Sequence, residues 1–147
     1  MVLIGLHGNP KDVNTQLMFK ALEQEPTLVI DCANSANAQE YKAFVDEESF
    51  KSTYVVEVDL IYKFRDTIRN IPTMARRVGV NTIIVTTFNR LSTLESEGKN
   101  QEIFEHAWVL LSELSTQHTV IVGVHEKQLA FAQKYCHRIL NAPMPAQ

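Results

Sequence analysis

Apolar residues along this chain follow two rhythms: short unbroken runs rich in Val and Ile, and longer stretches where they recur every three or four positions. The first run, residues 2–6, ends at the turn formers Gly8, Asn9 and Pro10, and a helical repeat then sets Val13, Leu17, Ala21 and Leu22 on one face. Pro26 restarts the chain before a second buried run at 28–30. Residues 34–52 are polar and Ala-rich, and predict a loop with a helix around 41–45. A third strand at 55–58 leads into a long amphipathic helix over 60–78, with Ile61, Phe64, Ile68, Ile71, Met74, Ala75 and Val78 in one stripe. Pro72 lies inside that stripe and predicts a kink or break near Ile71, because proline lacks the N–H and crowds the preceding turn. Gly79 is placed to stop the helix. Strands at Thr82–Val85 and Thr119–Val124 follow, separated by a polar stretch at 92–100 and a helix over 101–115. A last helix at 127–135 and a short strand at 138–140 precede a tail, 141–147, whose two prolines predict fraying.

Strands rich in β-branched residues, alternating with helices, predict an α/β fold in three layers: a mostly parallel sheet flanked by helices on both faces. With 147 residues the chain is one domain, 1–147. In such sheets the loops at the carboxyl ends of the strands converge on the ligand crevice, so function is sought there. Composition adds limits. The net charge of −3 gives no long-range pull toward nucleic acid, so contact with DNA would need a local basic patch or an intermediary. Cys32 and Cys136 form no C-x-x-C and read as reduced, buried thiols of a cytoplasmic protein. No apolar run approaches the ~20 residues of a membrane helix, so no membrane partner is expected.

The first strand runs into Gly5-Leu6-His7-Gly8-Asn9-Pro10-Lys11-Asp12 and then a helix. A phosphate-binding loop reads G-x-x-x-x-G-K-[ST] in that same strand–loop–helix setting. Gly5, Gly8 and Lys11 fit a common form of it, whereas Pro10 replaces the second glycine and Asp12 the hydroxyl residue. Pro10 removes one phosphate-cradling N–H. Asp12 sets a carboxylate where backbone amides and the helix dipole normally favour an anion. Alone, these residues also read as a tight strand–helix turn with Asp12 capping the helix.

Further along, the chain resembles the RecA/RadA recombinase core over nearly its whole length, in order and spacing. That family has a strand ending in I-D-T-E-N, and here stands Ile30-Asp31-Cys32-Ala33-Asn34, with Ala33 in place of the catalytic Glu. Its Walker B strand ends in Asp-Ser, and here Ile83-Ile84-Val85 leads to Thr86-Thr87. A later strand ends in a polar sensor, and here Val120–Val124 leads to His125 and Glu126. The resemblance implies a RecA-like P-loop NTPase core in which the first two strands are not neighbours. It also implies a paralogue without catalytic residues: hydrolysis needs a hydroxyl and an Asp on Mg²⁺ and a Glu on the water, and Asp12, Thr86 and Ala33 occupy those positions.

Residues 125–136 are short and helical where a recombinase carries a long DNA-binding loop, which argues against strand exchange. The expected role is therefore binding or assembly, with a protein partner that is a second copy or a RecA/RadA-type ATPase in DNA recombination or repair. DNA would be met only indirectly. No cofactor is expected. In an alternative reading, Gly5, Gly8, Lys11 and Asp12 still hold ATP with Mg²⁺, as a nucleotide sensor or weak NTPase. In a second alternative the loop likeness is coincidental and the chain is an unrelated doubly wound domain for another small ligand.

Other constellations are weaker. His7, Asp31 and His125 fall near strand ends and could meet Asp12 and Glu126, as zinc ligands or an acid–base set, although their spacing matches no metal motif. Lys63, Arg65, Arg69, Arg76 and Arg77 give the long helix a basic face, partly balanced by Asp59 and Asp66. Trp108 reads as core packing. Phe88 and Leu91 read as half-buried residues that would make an interface if exposed.

Overall fold

The computed structural model describes residues 1–23, 26–35, 53–91 and 97–142. The chain forms β1 (Leu3–His7), α1 (Pro10–Glu23), β2 (Thr27–Asp31), β3 (Thr53–Glu57), α2 (Ile61–Val78), β4 (Thr82–Val85), α3 (Glu97–Leu114), β5 (Thr119–Val124), a 3₁₀ turn at Glu126–Gln128, α4 (Leu129–Tyr135) and β6 (Arg138–Asn141). The helix expected around 41–45, residues 92–96 of the polar stretch and the tail from 143 lie outside the described residues.

The strands make one sheet in the order β3-β2-β4-β5-β1-β6. Each of its pairings is parallel. β2 is buried along its whole length, as a central parallel strand covered on both faces must be. On one face, α1 packs Val13, Leu17, Met18, Ala21 and Leu22 against Val29 and Ile84. On the other, α2, α3 and α4 close over a larger core that includes Phe64, Ile71, Phe88, Trp108 and Leu111. Three layers result.

The predicted stripe on α2 is the buried one: Ile61, Phe64, Ile68, Ile71 and Ala75 all face the core. The break expected at Pro72 does not occur, and α2 runs unbroken through it. Burial of Ile71 and Ala75 on either side outweighs the single backbone bond that proline removes. Gly79 ends the helix in the left-handed region at φ 74°, its N–H bonded to the Ala75 carbonyl at 2.8 Å.

Two readings of side chains need correction. Phe88 and Leu91 are not half-buried: Phe88 is fully enclosed, 4.7 Å from the Phe64 ring and 5.3 Å from Trp108, and Leu91 is buried with it. This aromatic cluster uses up the surface that an interface would have needed. Trp108 is core, as its apolar neighbours indicated. Cys32 and Cys136 are free thiols but only partly buried. Desolvation, reinforced for Cys32 by the nearby Asp31, pushes the Cys32 thiol well above its usual range, and burial pushes Cys136 up to about 11.

Candidate functional site

The turn between β1 and α1 is shaped by close approaches. A Cβ on Gly5 would lie 2.9 Å from Val124 Cγ2 and 3.2 Å from Cys136 Sγ, and one on Gly8 would lie 2.9 Å from Ala142 Cβ. Gly5, inside β1, thus admits the Val124 and Cys136 side chains, and Gly8, at the turn, admits Ala142. The helix cap is Asn9 and not Asp12. Asn9 Oδ1 accepts the Lys11 N–H at 3.0 Å, and the Asn9 carbonyl accepts the Val13 N–H at 2.9 Å. Pro10 opens the helix, where a missing N–H costs nothing. Asp12 sits in the first turn, where the helix dipole favours a carboxylate. A side-chain oxygen of the loop itself therefore occupies a backbone donor at the head of α1.

At the ends of β2 and β4 the polar residues also bind one another. Thr86 is fully buried; its hydroxyl accepts the Cys32 N–H at 2.7 Å and donates to Asp31 Oδ1 at 3.2 Å. The same carboxylate oxygen accepts the N–H groups of Ala33 at 3.2 Å and Ser35 at 3.0 Å, and so shapes the turn that carries Ala33. Asn34 completes that turn in the left-handed region at φ 53°. Beside it, buried Asn14 on α1 grips Thr87 twice: Asn14 Nδ2 donates to the Thr87 hydroxyl, and Asn14 Oδ1 accepts the Thr87 N–H, each at 2.9 Å. Gly123 on β5 makes room, since a Cβ there would come within 3.0 Å of the Thr87 nitrogen.

These ends surround a crevice of about 470 Å³ lined by Asn9, Lys11, Asn14, Ala33, Thr87, Arg90 and His125 among others. Of the candidates read from sequence, Lys11, Ala33, Thr87 and His125 meet at this crevice. Asp31 and Thr86 form the buried network beside it. His125 Nδ1 accepts the Lys127 N–H at 3.1 Å and so caps the 3₁₀ turn, in which Glu126 is exposed. The His7–Asp31–His125 set is not assembled. β5 and β4 lie between β1 and β2, and three interstrand spacings hold His7 and Asp31 about 14 Å apart. Among the described residues no group of three or more His, Cys, Asp or Glu side chains is placed to hold a metal ion.

Sequence reasoning missed Asn9, Asn14, Asn89 and Arg90. Asn9 was signalled, since Asn directly before Pro at a helix start is a capping pattern. Asn14 was signalled only by its place in the apolar stripe of α1, and Arg90 carried no sign.

Three of the five basic residues of α2 contact a neighbouring polar side chain, and Arg76 and Arg77 are exposed. Lys63 lies 3.8 Å from Asp59, Arg69 lies 3.5 Å from Asp66, and Arg65 Nη1 donates to His106 Nδ1 on α3 at 2.9 Å. Burial, then the charges of Arg65 and Arg69, holds the His106 ring below its ordinary pKa.

No protein-family model matches this chain, and no curated protein matches it significantly. Solved structures do match. A RadB recombinase superposes with a TM-score of 0.69 at 12% identity, covering 99% of this chain and 76% of that one. A KaiC-like protein from the hyperthermophilic archaeon Pyrococcus horikoshii superposes with a TM-score of 0.66 at 17% identity, covering 95% and 71%. At these identities the likeness establishes the fold alone, which is RecA/RadA-like. The strand order agrees, because two strands separate β1 from β2, and an unrelated doubly wound sheet with those strands adjacent is not what forms.

Proposed function

We propose that this protein is a RecA-fold binding module that does not turn over ATP and acts through a protein partner. The observation that carries this reading is the state of Thr86. At the position of the metal-binding Walker B aspartate there is a buried hydroxyl, and its hydrogen bonds run to Asp31 and Cys32 instead of outward. Asp12 and Ala33 replace the other two groups on which Mg²⁺ and water positioning depend. Asn9 on the Lys11 amide also competes with any phosphate at the helix head. RecA-like cores place nucleotide at subunit boundaries, so a core freed from turnover can keep its interface. The partner would be a second copy or a RecA/RadA-type ATPase, in recombination or repair.

The test is isothermal titration with ATP and a non-hydrolysable analogue, with and without Mg²⁺, alongside phosphate release. The expectation is no turnover and no heat at millimolar nucleotide that depends on Lys11. Micromolar binding or turnover, either one abolished by Lys11→Ala, would overturn it.

A nucleotide-sensing role is the second reading. It is favoured by one feature: Lys11, Arg90 and His125 line the crevice, and no described carboxylate does. Micromolar, Mg²⁺-independent binding without turnover would select it.

A further inference from the structure

Beyond the crevice, a second and larger cleft of about 550 Å³ opens between the start of α3, the 3₁₀ turn and α4. Its walls are two half-buried rings, Phe104 and Phe131, and the carboxamides of Asn89, Asn100, Gln101 and Gln128, with Lys127 at the rim. No carboxylate is among its described lining residues. Glu105 on the same helix is engaged elsewhere, accepting from Lys134 at 2.7 Å and Tyr135 at 2.9 Å, which ties α3 to α4 behind the cleft.

Gln128 is the informative residue. The residue is 4% exposed, and its buried side-chain carbonyl oxygen has no hydrogen-bond partner. Enclosing a carboxamide without its bonds costs free energy; Arg65 Nε, Trp108 Nε1 and the His118 ring nitrogens are also buried without partners, but Gln128 is the one of these that lines this cleft. Packing does not require an amide here: a leucine of similar volume would fill the same space. A turn about the last side-chain bond exchanges the oxygen and nitrogen at the cleft wall, so the amide can present either a donor or an acceptor to a bound molecule.

We infer that this cleft binds a small planar heterocycle of the nucleobase class, presented as a mononucleotide. Phe104 and Phe131 supply aromatic surface for a flat ring, and base–aromatic stacking is favourable for any base. The carboxamides of Gln128, Asn89 and Gln101 match the mixed donor and acceptor edge of such a ring. Lys127 lies at the mouth, where a 5′-phosphate would emerge, and a single exposed ammonium suits a monophosphate. The volume falls within the range of small-molecule sites. No metal is needed, and the site is separate from the loop at Lys11.

The probes are the four nucleoside 5′-monophosphates, observed by saturation-transfer NMR and titrated in the presence of a chelator. At least one binds, and Gln128→Leu and Phe131→Ala each weaken it by about tenfold, the worth of one hydrogen bond or stacking contact. Lys11→Ala leaves the affinity unchanged. Thermal unfolding checks the variants, and Gln128→Leu is expected to be no less stable than the parent, because it removes an unpaired polar group. Absence of binding by all four nucleotides overturns the inference. So does binding lost in Lys11→Ala and retained in Gln128→Leu, which would place the ligand in the crevice and weigh against the proposed loss of nucleotide binding there.

Discussion

The two clefts along the carboxyl edge of the sheet share Asn89 and little else. Around the crevice over β1 and β2, the buried polar groups are paired with one another: Thr86 with Asp31 and Cys32, Asn14 with Thr87. In the cleft between α3 and α4, Gln128 is just as buried and its carbonyl is paired with nothing. A paired buried group serves as a strut, and its loss is felt in stability. An unpaired one costs the fold free energy, and its removal should leave stability no lower. Opposite consequences should therefore follow from mutating the two regions.

The largest effect is expected from Thr86→Asp, the change that would set a carboxylate at the position proposed above to correspond to Walker B. In this chain it sets a second buried carboxylate within hydrogen-bond reach of Asp31, and we expect a loss of about 3–5 kcal/mol in urea unfolding. A variant as stable as the parent would mean that the position faces solvent. Next comes Asn14→Leu, which strands the Thr87 N–H and hydroxyl; about 2 kcal/mol should disappear from the same measurement. Were Gln128→Leu to cost as much, the contrast between the clefts would fail.

Asn9→Ala is smaller, about 1 kcal/mol for a lost cap. It also frees the Lys11 amide, so any residual affinity of the crevice for inorganic phosphate should rise in this variant if Asn9 competes with an anion. The smallest effect lies away from both clefts. His106 titrates below its ordinary value of about 6.5 because it is partly buried and faces Arg65 and Arg69, with Glu113 opposing weakly. Its contribution is complete above the unfolded pKa and is lost as pH falls toward the folded one, since the unfolded chain takes up the proton first. His118, depressed by burial, acts in the same direction. Urea midpoints should fall between pH 7 and pH 5, and His106→Gln should flatten that slope.

Much of this was legible in one dimension because its causes are local. The boundaries of β4 and β5, the apolar stripe of α2, the stop at Gly79 and the helical run after His125 all follow from periodicity and turn chemistry within a few residues. The tight turn at Gly8 and Asn9 was legible too, although Gly5, which the motif puts in the loop, lies inside β1. The misreadings had non-local causes. Pro72 is tolerated because the core holds α2 on both sides of it, and Phe88 is hidden by rings from α2 and α3 that no local pattern brings together.

The sequence by itself thus determined the elements and the chemical types at each strand end, since both are properties of neighbouring residues. Only the tertiary structure decided the strand order, the burial of Thr86 against Asp31, the grip of Asn14 on Thr87 and the isolation of Gln128. Each of these joins, or fails to join, groups far apart along the chain. Hydrogen-bond satisfaction depends on what stands within about 3 Å in space, which the spacing of residues along the chain does not encode.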